Sequence, residues 1–215
     1  MRPVVGVFAA TPDRGRALAR DMAVRWALAE VLVAHDLRLL SFAQIKTAEH
    51  KARQPFGQIP TFETVGVTLF ESGAIVLHIA ENHAGLLPAG PAGRARAIAW
   101  MFAAVSTVEP VIVEREVAVL LEGDKPWTRE RLPGLEARLR QRLDDLAVWL
   151  DRKDWLEGDF SAADIMMICV LRRPAAALLM GDYPQLAAYV ARGEARPAFQ
   201  AAFAEQKARF EAAHG

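Results

Sequence analysis

The segment from Gln58 to Leu77 places the strongest constraint on how this chain can fold. Its apolar pattern predicts two short strands joined by a tight turn at Gly66, and the spacing changes to that of a helix near Ser72. Pro60 lies at the start of the first strand, where a missing N–H is tolerated only at an edge, a strand start or a special turn. If the bond before Pro60 is cis, the backbone of Ile59 can turn outward and pair with an extended ligand.

The junction between the second strand and the helix carries Glu71 and Ser72. The first N–H groups of a helix have no partners within the helix, and its dipole favours an anion there. The Ser72 hydroxyl adds a donor, and the Glu71 carboxylate can hold an ammonium group. This pair suits the α-amino-acid end of a peptide, which carries both charges on one carbon.

Charge and composition exclude several classes of function. The 26 basic and 26 acidic residues give a formal charge of zero, so no overall field attracts nucleic acid or an anionic membrane. One cysteine, Cys169, excludes an internal disulfide and suits a reducing compartment. The histidines have no metal-ligand spacing, so we expect no metal. Asp13 and Arg14 come too early for a signal peptide, and no apolar run is expected to cross a bilayer, so we expect a cytoplasmic protein.

The order of predicted elements divides the chain in two. An apolar strand over 4–9, a helix over 16–34 and a second strand over 37–42 predict a β-α-β unit with parallel strands. The first eighty or so residues follow the order β-α-β-α-β-β-α. A linker rich in Gly and Pro follows, and every later pattern is helical. The predicted organisation is an α/β domain over 1–84, a linker over 85–93 and an all-helical domain over 94–215.

Two patterns organise the helical part. A long helix is expected over 92–122 with a bend or break near Pro110. Ser161 and Asp164 form a capping-box pattern that starts a core helix. A further amphipathic helix is predicted by leucines at steps of three and four: Leu132, Leu135, Leu139, Leu143, Leu146 and Leu150.

The run Pro55–Pro60, followed by Leu69–Ile75, closely resembles the signature of cytosolic glutathione S-transferases of bacterial type. The capping box at Ser161 matches the helical domain of the same family, so the resemblance covers nearly the whole chain. It implies a thioredoxin-like N-terminal domain followed by a helical bundle, with Pro60 in the cis form. It also implies a homodimer, and a cytoplasmic enzyme of detoxification.

The resemblance also implies a binding site for glutathione, which would act as cosubstrate without a metal. Glu71 and Ser72 would bind the γ-glutamyl group. Ile59, next to Pro60, would pair with the cysteinyl backbone, and Gln58 would contact the cysteinyl-glycine half. Lys46 is a candidate for the glycine carboxylate, although a solvated surface residue is the simpler interpretation.

The catalytic hydroxyl is the point where this sequence departs from the family. Relatives place a Tyr, Ser or Cys just after the first strand, and here the only hydroxyl in that loop is Thr11, with Arg14 as a nearby cation. We predict that Thr11 donates a hydrogen bond to the glutathione sulfur, helped by the dipole of a helix beginning near Gly15. A threonine before a proline is also an ordinary turn residue, and both interpretations stay open.

The expected reaction is attack of the glutathione thiolate on a small apolar electrophile. Two alternatives remain at this point. One is a glutathione-dependent disulfide reductase or peroxidase on the same fold. The other is a non-catalytic binding module of the same family.

Overall fold

The computed structural model describes residues 2–11, 13 and 15–214, with the backbone alone for 213 and 214. Its contacts divide the chain into two units. One comprises Met1–Leu87 with Ala195–Gly215, and the other comprises Pro88–Glu194. The chain passes from the first unit to the second inside the predicted linker. Its last residues return to the first unit, which the sequence pattern does not indicate.

The first unit is built on a four-stranded sheet in the order β2-β1-β3-β4. Strand β2 is parallel to β1, while β3 is antiparallel to both β1 and β4. This arrangement confirms the predicted β-α-β opening and the hairpin that follows it. The elements are β1 (Val4–Phe8), α1 (Asp21–Glu30), β2 (Asp36–Leu40), a 3₁₀ turn (Gln44–Lys46), α2 (Ala48–Lys51), β3 (Thr61–Thr64), β4 (Val67–Phe70) and α3 (Ser72–Asn82).

Helix α1 is shorter at both ends than the predicted 16–34. Before it, the Asp13 carboxylate accepts hydrogen bonds from the backbone N–H groups of Gly15 at 3.1 Å and Leu18 at 2.6 Å. Ala17 between them has a φ of 53°, which no right-handed helix contains. At the other end Leu32 has a φ of 57° and ends the helix in the manner of a left-handed cap.

The second unit consists of helices over its described residues, apart from one isolated bridge. A π-helical segment, Ala104–Val108, interrupts the long helix just before Pro110. Proline has no N–H to bond the carbonyl four residues earlier, so a wider turn there has a physical cause. The predicted break is therefore confirmed. The elements are α4 (Pro91–Ala103), α5 (Glu109–Leu120), α6 (Pro126–Trp149), α7 (Ala162–Leu171), α8 (Pro174–Ala177), a 3₁₀ turn (Met180–Asp182) and α9 (Pro184–Glu194).

The predicted leucine stripe and the predicted capping box both take part in the core of the second unit. All of the stripe except half-exposed Leu132 is buried, and α6 packs on α5 and α9. At the start of α7, the Ser161 hydroxyl accepts from the Ala163 N–H at 3.3 Å, and the Asp164 carboxylate accepts from the Ser161 N–H at 2.8 Å. The capping box is thus confirmed.

The C-terminal helix α10 (Pro197–His214) packs on α1. Arg25 of α1 is fully buried and pairs with Glu205 at 2.8 Å, and it also donates to the Gln206 side chain at 2.8 Å. Beside it, the rings of Trp26 and Phe199 meet edge to face with centroids 5.0 Å apart. A buried guanidinium needs such partners, and most of them come from α10. This explains why the end of the chain belongs to the first unit.

The continuous helical stretch Pro91–Leu120 is long and apolar enough, by length and composition alone, to cross a membrane. Its mean hydropathy is 1.5 over the most apolar window, which corrects the expectation that no run reaches that length. Helices in the core of a helical bundle satisfy the same test. Here α4 packs on α7, and α5 packs on α6.

Candidate functional site

The strand register brings all the predicted site residues to one edge of the sheet. Phe8 pairs with Leu40 where β1 and β2 end, so the loops after both strands leave at the same side. Thr61, which begins β3, pairs with Gly6 of β1 and with Phe70 at the end of β4. The segment before β3 and the start of α3 therefore lie at that side as well. This edge carries Thr11, Lys46, Gln58, Ile59, Pro60, Glu71 and Ser72.

Glu71 and Ser72 form the turn from β4 into α3. Glu71 has a φ of 66° and a ψ of 116°, its side chain is exposed, and it makes no hydrogen bond that caps the helix. Ser72 is buried at the first position of α3. A non-glycine residue at such a φ costs about 1–3 kcal/mol, which the surrounding structure must offset. The strained turn holds a carboxylate in solvent beside the N–H groups at the start of an eleven-residue helix.

The segment before β3 contains the cis bond that lets the backbone of Ile59 turn outward. The Ile59–Pro60 bond is cis, which confirms the expected isomer. Pro60 is buried, Ile59 is half-buried and Gln58 is exposed. The segment therefore presents backbone and one polar side chain at the surface of the site.

Lys46 extends from the 3₁₀ turn after β2 and contacts the same segment. Its ammonium group donates to the carbonyl oxygen of Gly57 at 2.9 Å. Because an ammonium group has three N–H donors, this bond leaves two for an anion. Lys46 thus lies beside the predicted site, and its contact with a bound carboxylate stays a prediction.

Two buried side chains that the sequence did not point to also hold this segment. His50, in α2, has its Nε2 atom 2.7 Å from the carbonyl oxygen of Gln58. The side-chain oxygen of Gln54 accepts a hydrogen bond from the Gln58 N–H at 3.2 Å. The only available signal was their position upstream of Pro60, because short polar segments carry little periodicity.

Thr11 lies in the loop after β1, and its hydroxyl is already bonded. It donates to Oδ1 of Asp13 at 2.7 Å, and the side chain is buried. Since a hydroxyl has one hydrogen, this bond competes with the predicted hydrogen bond to a sulfur. The prediction that a helix begins near Gly15 and directs its dipole at the sulfur is wrong, because α1 begins only at Asp21. Arg14, the candidate cation, and Pro12 lie outside the described residues.

Within the described part of the chain, no group of three or more His, Cys, Asp or Glu side chains could hold a metal ion. The polar groups at this sheet edge include backbone N–H groups, the Ser72 hydroxyl at the start of α3, the Glu71 carboxylate and the Lys46 ammonium group. Such a set binds a peptide with free charged ends better than it binds a metal.

Comparisons with known proteins agree with this architecture. A model of the N-terminal domain of glutathione S-transferase matches residues 14–81. Glutathione S-transferase 4 of Zea mays is 32% identical over 165 residues, which cover 70% of this chain and 71% of that protein.

Two solved structures have the same fold. A glutathione transferase from Burkholderia graminis has a TM-score of 0.82 at 23% identity, over 94% of this chain and 87% of that one. A glutathione transferase from Pseudomonas putida has a TM-score of 0.82 at 20% identity, over 94% of this chain and 90% of that one. The fold is therefore a thioredoxin-like domain joined to a helical region. The chain belongs to the glutathione S-transferase family.

Proposed function

We propose that this chain binds glutathione at the sheet edge described above and transfers its thiolate to a small apolar electrophile. The observation that carries the proposal is the strained turn at Glu71. It holds an exposed carboxylate beside the N–H groups at the start of α3. The γ-glutamyl group of glutathione carries an ammonium and a carboxylate on one carbon, and this turn offers a partner for each.

The other site residues follow from the same orientation. With the γ-glutamyl group on Glu71 and Ser72, the ligand backbone extends toward the segment before β3. Ile59 pairs with the cysteinyl backbone beside cis Pro60, and Gln58 contacts the cysteinyl-glycine half. Lys46, already beside Gly57, binds the glycine carboxylate. Residues 1–84 supply all of these contacts.

Thr11 is the proposed catalytic residue. To stabilise the thiolate, its hydroxyl must turn from Asp13 and donate to the sulfur. The bond given up to the Asp13 carboxylate and the bond gained to the thiolate both join the hydroxyl to a charged group and are each worth about 1.5–3 kcal/mol, so the exchange is nearly balanced. The thiolate then attacks the electrophilic carbon, a carbon–sulfur bond forms, and the leaving group departs with the electron pair of the broken bond.

A second reaction on the same site is glutathione-dependent disulfide reduction. The Burkholderia graminis protein was crystallised with two glutathione molecules per subunit, and the Pseudomonas putida protein with one glutathione disulfide. A site that holds two glutathione units favours an exchange in which the bound thiolate attacks a mixed disulfide and expels the other thiolate. A peroxide would be a further acceptor for the same thiolate.

The test compares three acceptors at fixed glutathione concentration: an activated aryl chloride, a mixed disulfide of glutathione and a hydroperoxide. We expect the fastest turnover with the aryl chloride. Preference for the disulfide or the peroxide would make the second reaction the principal one. Turnover of none of them, with glutathione still bound, would establish the non-catalytic binding module.

The Thr11→Val variant keeps the shape of the side chain and removes the hydroxyl. We expect its kcat to fall by roughly 10- to 100-fold with little change in glutathione affinity, since the bond is made to the thiolate. An unchanged kcat would show that Thr11 is only a turn residue.

We also propose that the enzyme works in the cytoplasm as a homodimer. The single cysteine requires no oxidising compartment. The family dimer would use the helix after the linker and the edge near residues 64–83, where Val65 is 74% exposed. Light scattering on the purified protein tests the dimer, and a monomer at micromolar concentration would contradict it.

A further inference from the structure

The backbone of Gln58 is held by two buried side chains, one on each of its two peptide units, and His50 bonds to the unit shared with Ile59. His50 is 3% exposed and Gln54 is 2% exposed, so both act from the interior. The His50 Nε2 atom lies 2.7 Å from the Gln58 carbonyl oxygen, and the Gln54 side-chain oxygen lies 3.2 Å from the Gln58 N–H. Both backbone polar groups of Gln58 thus bond to side chains, where a strand would bond to its neighbour.

The contact also identifies the ring nitrogen of His50 that donates. A carbonyl oxygen only accepts hydrogen bonds, so the Nε2 atom of His50 must carry a hydrogen. The N–H of His50 bonds to the Thr47 side chain at 3.3 Å, which anchors the start of α2. The donor therefore comes from a residue whose own backbone is held in place.

This bond has a consequence for Ile59. In a trans peptide the carbonyl oxygen and the N–H of the next residue point in opposite directions. Among the described residues, the bond before Pro60 is the one found in the cis form, so Gln58–Ile59 is trans. With the Gln58 carbonyl directed inward at His50, the Ile59 N–H is directed outward, toward the site.

We propose that His50 is a positioning residue for the ligand-binding backbone of Ile59. It does not touch the ligand, and it acts by holding one peptide plane. The inference rests on the proposed function, because Ile59 is the residue proposed to pair with the cysteinyl backbone of glutathione. It adds a side chain from outside the family signature to the determinants of that site.

The variants separate the hydrogen bond from mere packing. His50→Leu keeps an apolar side chain of similar size and removes the donor. His50→Gln places an amide N–H near the position of the imidazole Nε2, while His50→Asn is too short to reach.

The measurement is calorimetric titration with glutathione and with S-methylglutathione, which has the same backbone and no free thiol. We expect His50→Leu and His50→Asn to bind both about tenfold more weakly, and His50→Gln to bind within about threefold of the parent. Because the backbone contact exists in ground and transition states alike, KM for glutathione should rise while kcat at saturation stays unchanged.

The possible failures are distinguishable. If the parent binds glutathione and folded His50→Leu and His50→Asn bind it equally well, the positioning role is overturned and the proposed function stands. If folded His50→Gln loses as much affinity as His50→Leu, the effect is one of packing, and the positioning role is overturned again. If the parent does not bind glutathione, both proposals fail. Far-UV circular dichroism and thermal melting establish which variants are folded.

Discussion

Removal of the Asp164 side chain should destabilise the second unit severely. It is fully buried at the start of α7. Its Oδ1 atom accepts from the Leu156 N–H at 3.0 Å and from the Tyr189 hydroxyl at 2.9 Å. Its Oδ2 atom accepts from the Ser161 N–H at 2.8 Å. Asp164→Ala would leave these three donors in the interior without an acceptor.

The magnitude follows from those donors. Each buried donor without a partner costs roughly 1–3 kcal/mol, so three of them cost roughly 3–9 kcal/mol. Burial opposes the ionised carboxylate and raises the pKa of Asp164, although its hydrogen bonds lower it in part. Removing that buried charge returns some free energy, so we expect a net loss of about 3–5 kcal/mol. A domain is stable by only about 5–15 kcal/mol, so this loss is severe.

The assay is urea unfolding followed by tryptophan fluorescence, with Ser161→Ala as the matched control. Ser161→Ala removes the other half of the capping box and should cost only about 1 kcal/mol. Asp164→Asn, which keeps one acceptor oxygen, should fall between the two. A loss for Asp164→Ala no larger than that for Ser161→Ala would refute the argument from unsatisfied donors.

Two further predictions concern the sheet. A Cβ atom built on Gly6 lies 2.2 Å from the Thr61 hydroxyl oxygen, so Gly6→Ala should destabilise the protein by about 1–3 kcal/mol, and Thr61→Ala should restore most of that loss in the double variant. Thermal melting of the three variants checks this, and a neutral Gly6→Ala would contradict it. Burial raises the pKa of Glu63, but hydrogen bonds and positive charge from Arg38 and Arg53 outweigh burial and lower this pKa below its usual 4.5. The stabilising effect of the ionised Glu63 carboxylate is therefore fully present above pH 4.5. This effect is lost as the pH falls through the lowered pKa. Glu63→Gln should therefore be less stable than the parent at pH 7 by about 0.5–1 kcal/mol and equally stable in strong acid, and a difference independent of pH would count against the ion pairs.

Local signals in the sequence predict much of the fold and part of the site. The turn at Glu71–Ser72, the cis Pro60 segment and the capping box at Asp164 all depend on residues within a few positions of each other. Their chemistry is therefore visible along the chain. The break near Pro110 belongs to the same kind, since a missing N–H acts on its own turn.

Other features depend on distant or aperiodic contacts, and sequence patterns do not reveal them. The start of α1 is set by the Asp13 carboxylate, which bonds the loop backbone in place of a helical carbonyl. The return of α10 to the first unit depends on Arg25, whose partners lie near the end of the chain. His50 acts through one hydrogen bond in a short polar helix, where no hydrophobic period marks the inward face.

The most direct test of the proposed glutathione site is calorimetric titration of the parent, Glu71→Gln and Glu81→Gln with glutathione. Both substitutions remove one negative charge from an exposed glutamate beside or within α3, and only Glu71 lies at the start of that helix. We predict that the parent and Glu81→Gln bind alike and that Glu71→Gln binds roughly 10- to 100-fold more weakly, because it loses a charge-assisted hydrogen bond to the ammonium group. Absence of binding by the parent, or equal binding by Glu71→Gln, would contradict the proposal.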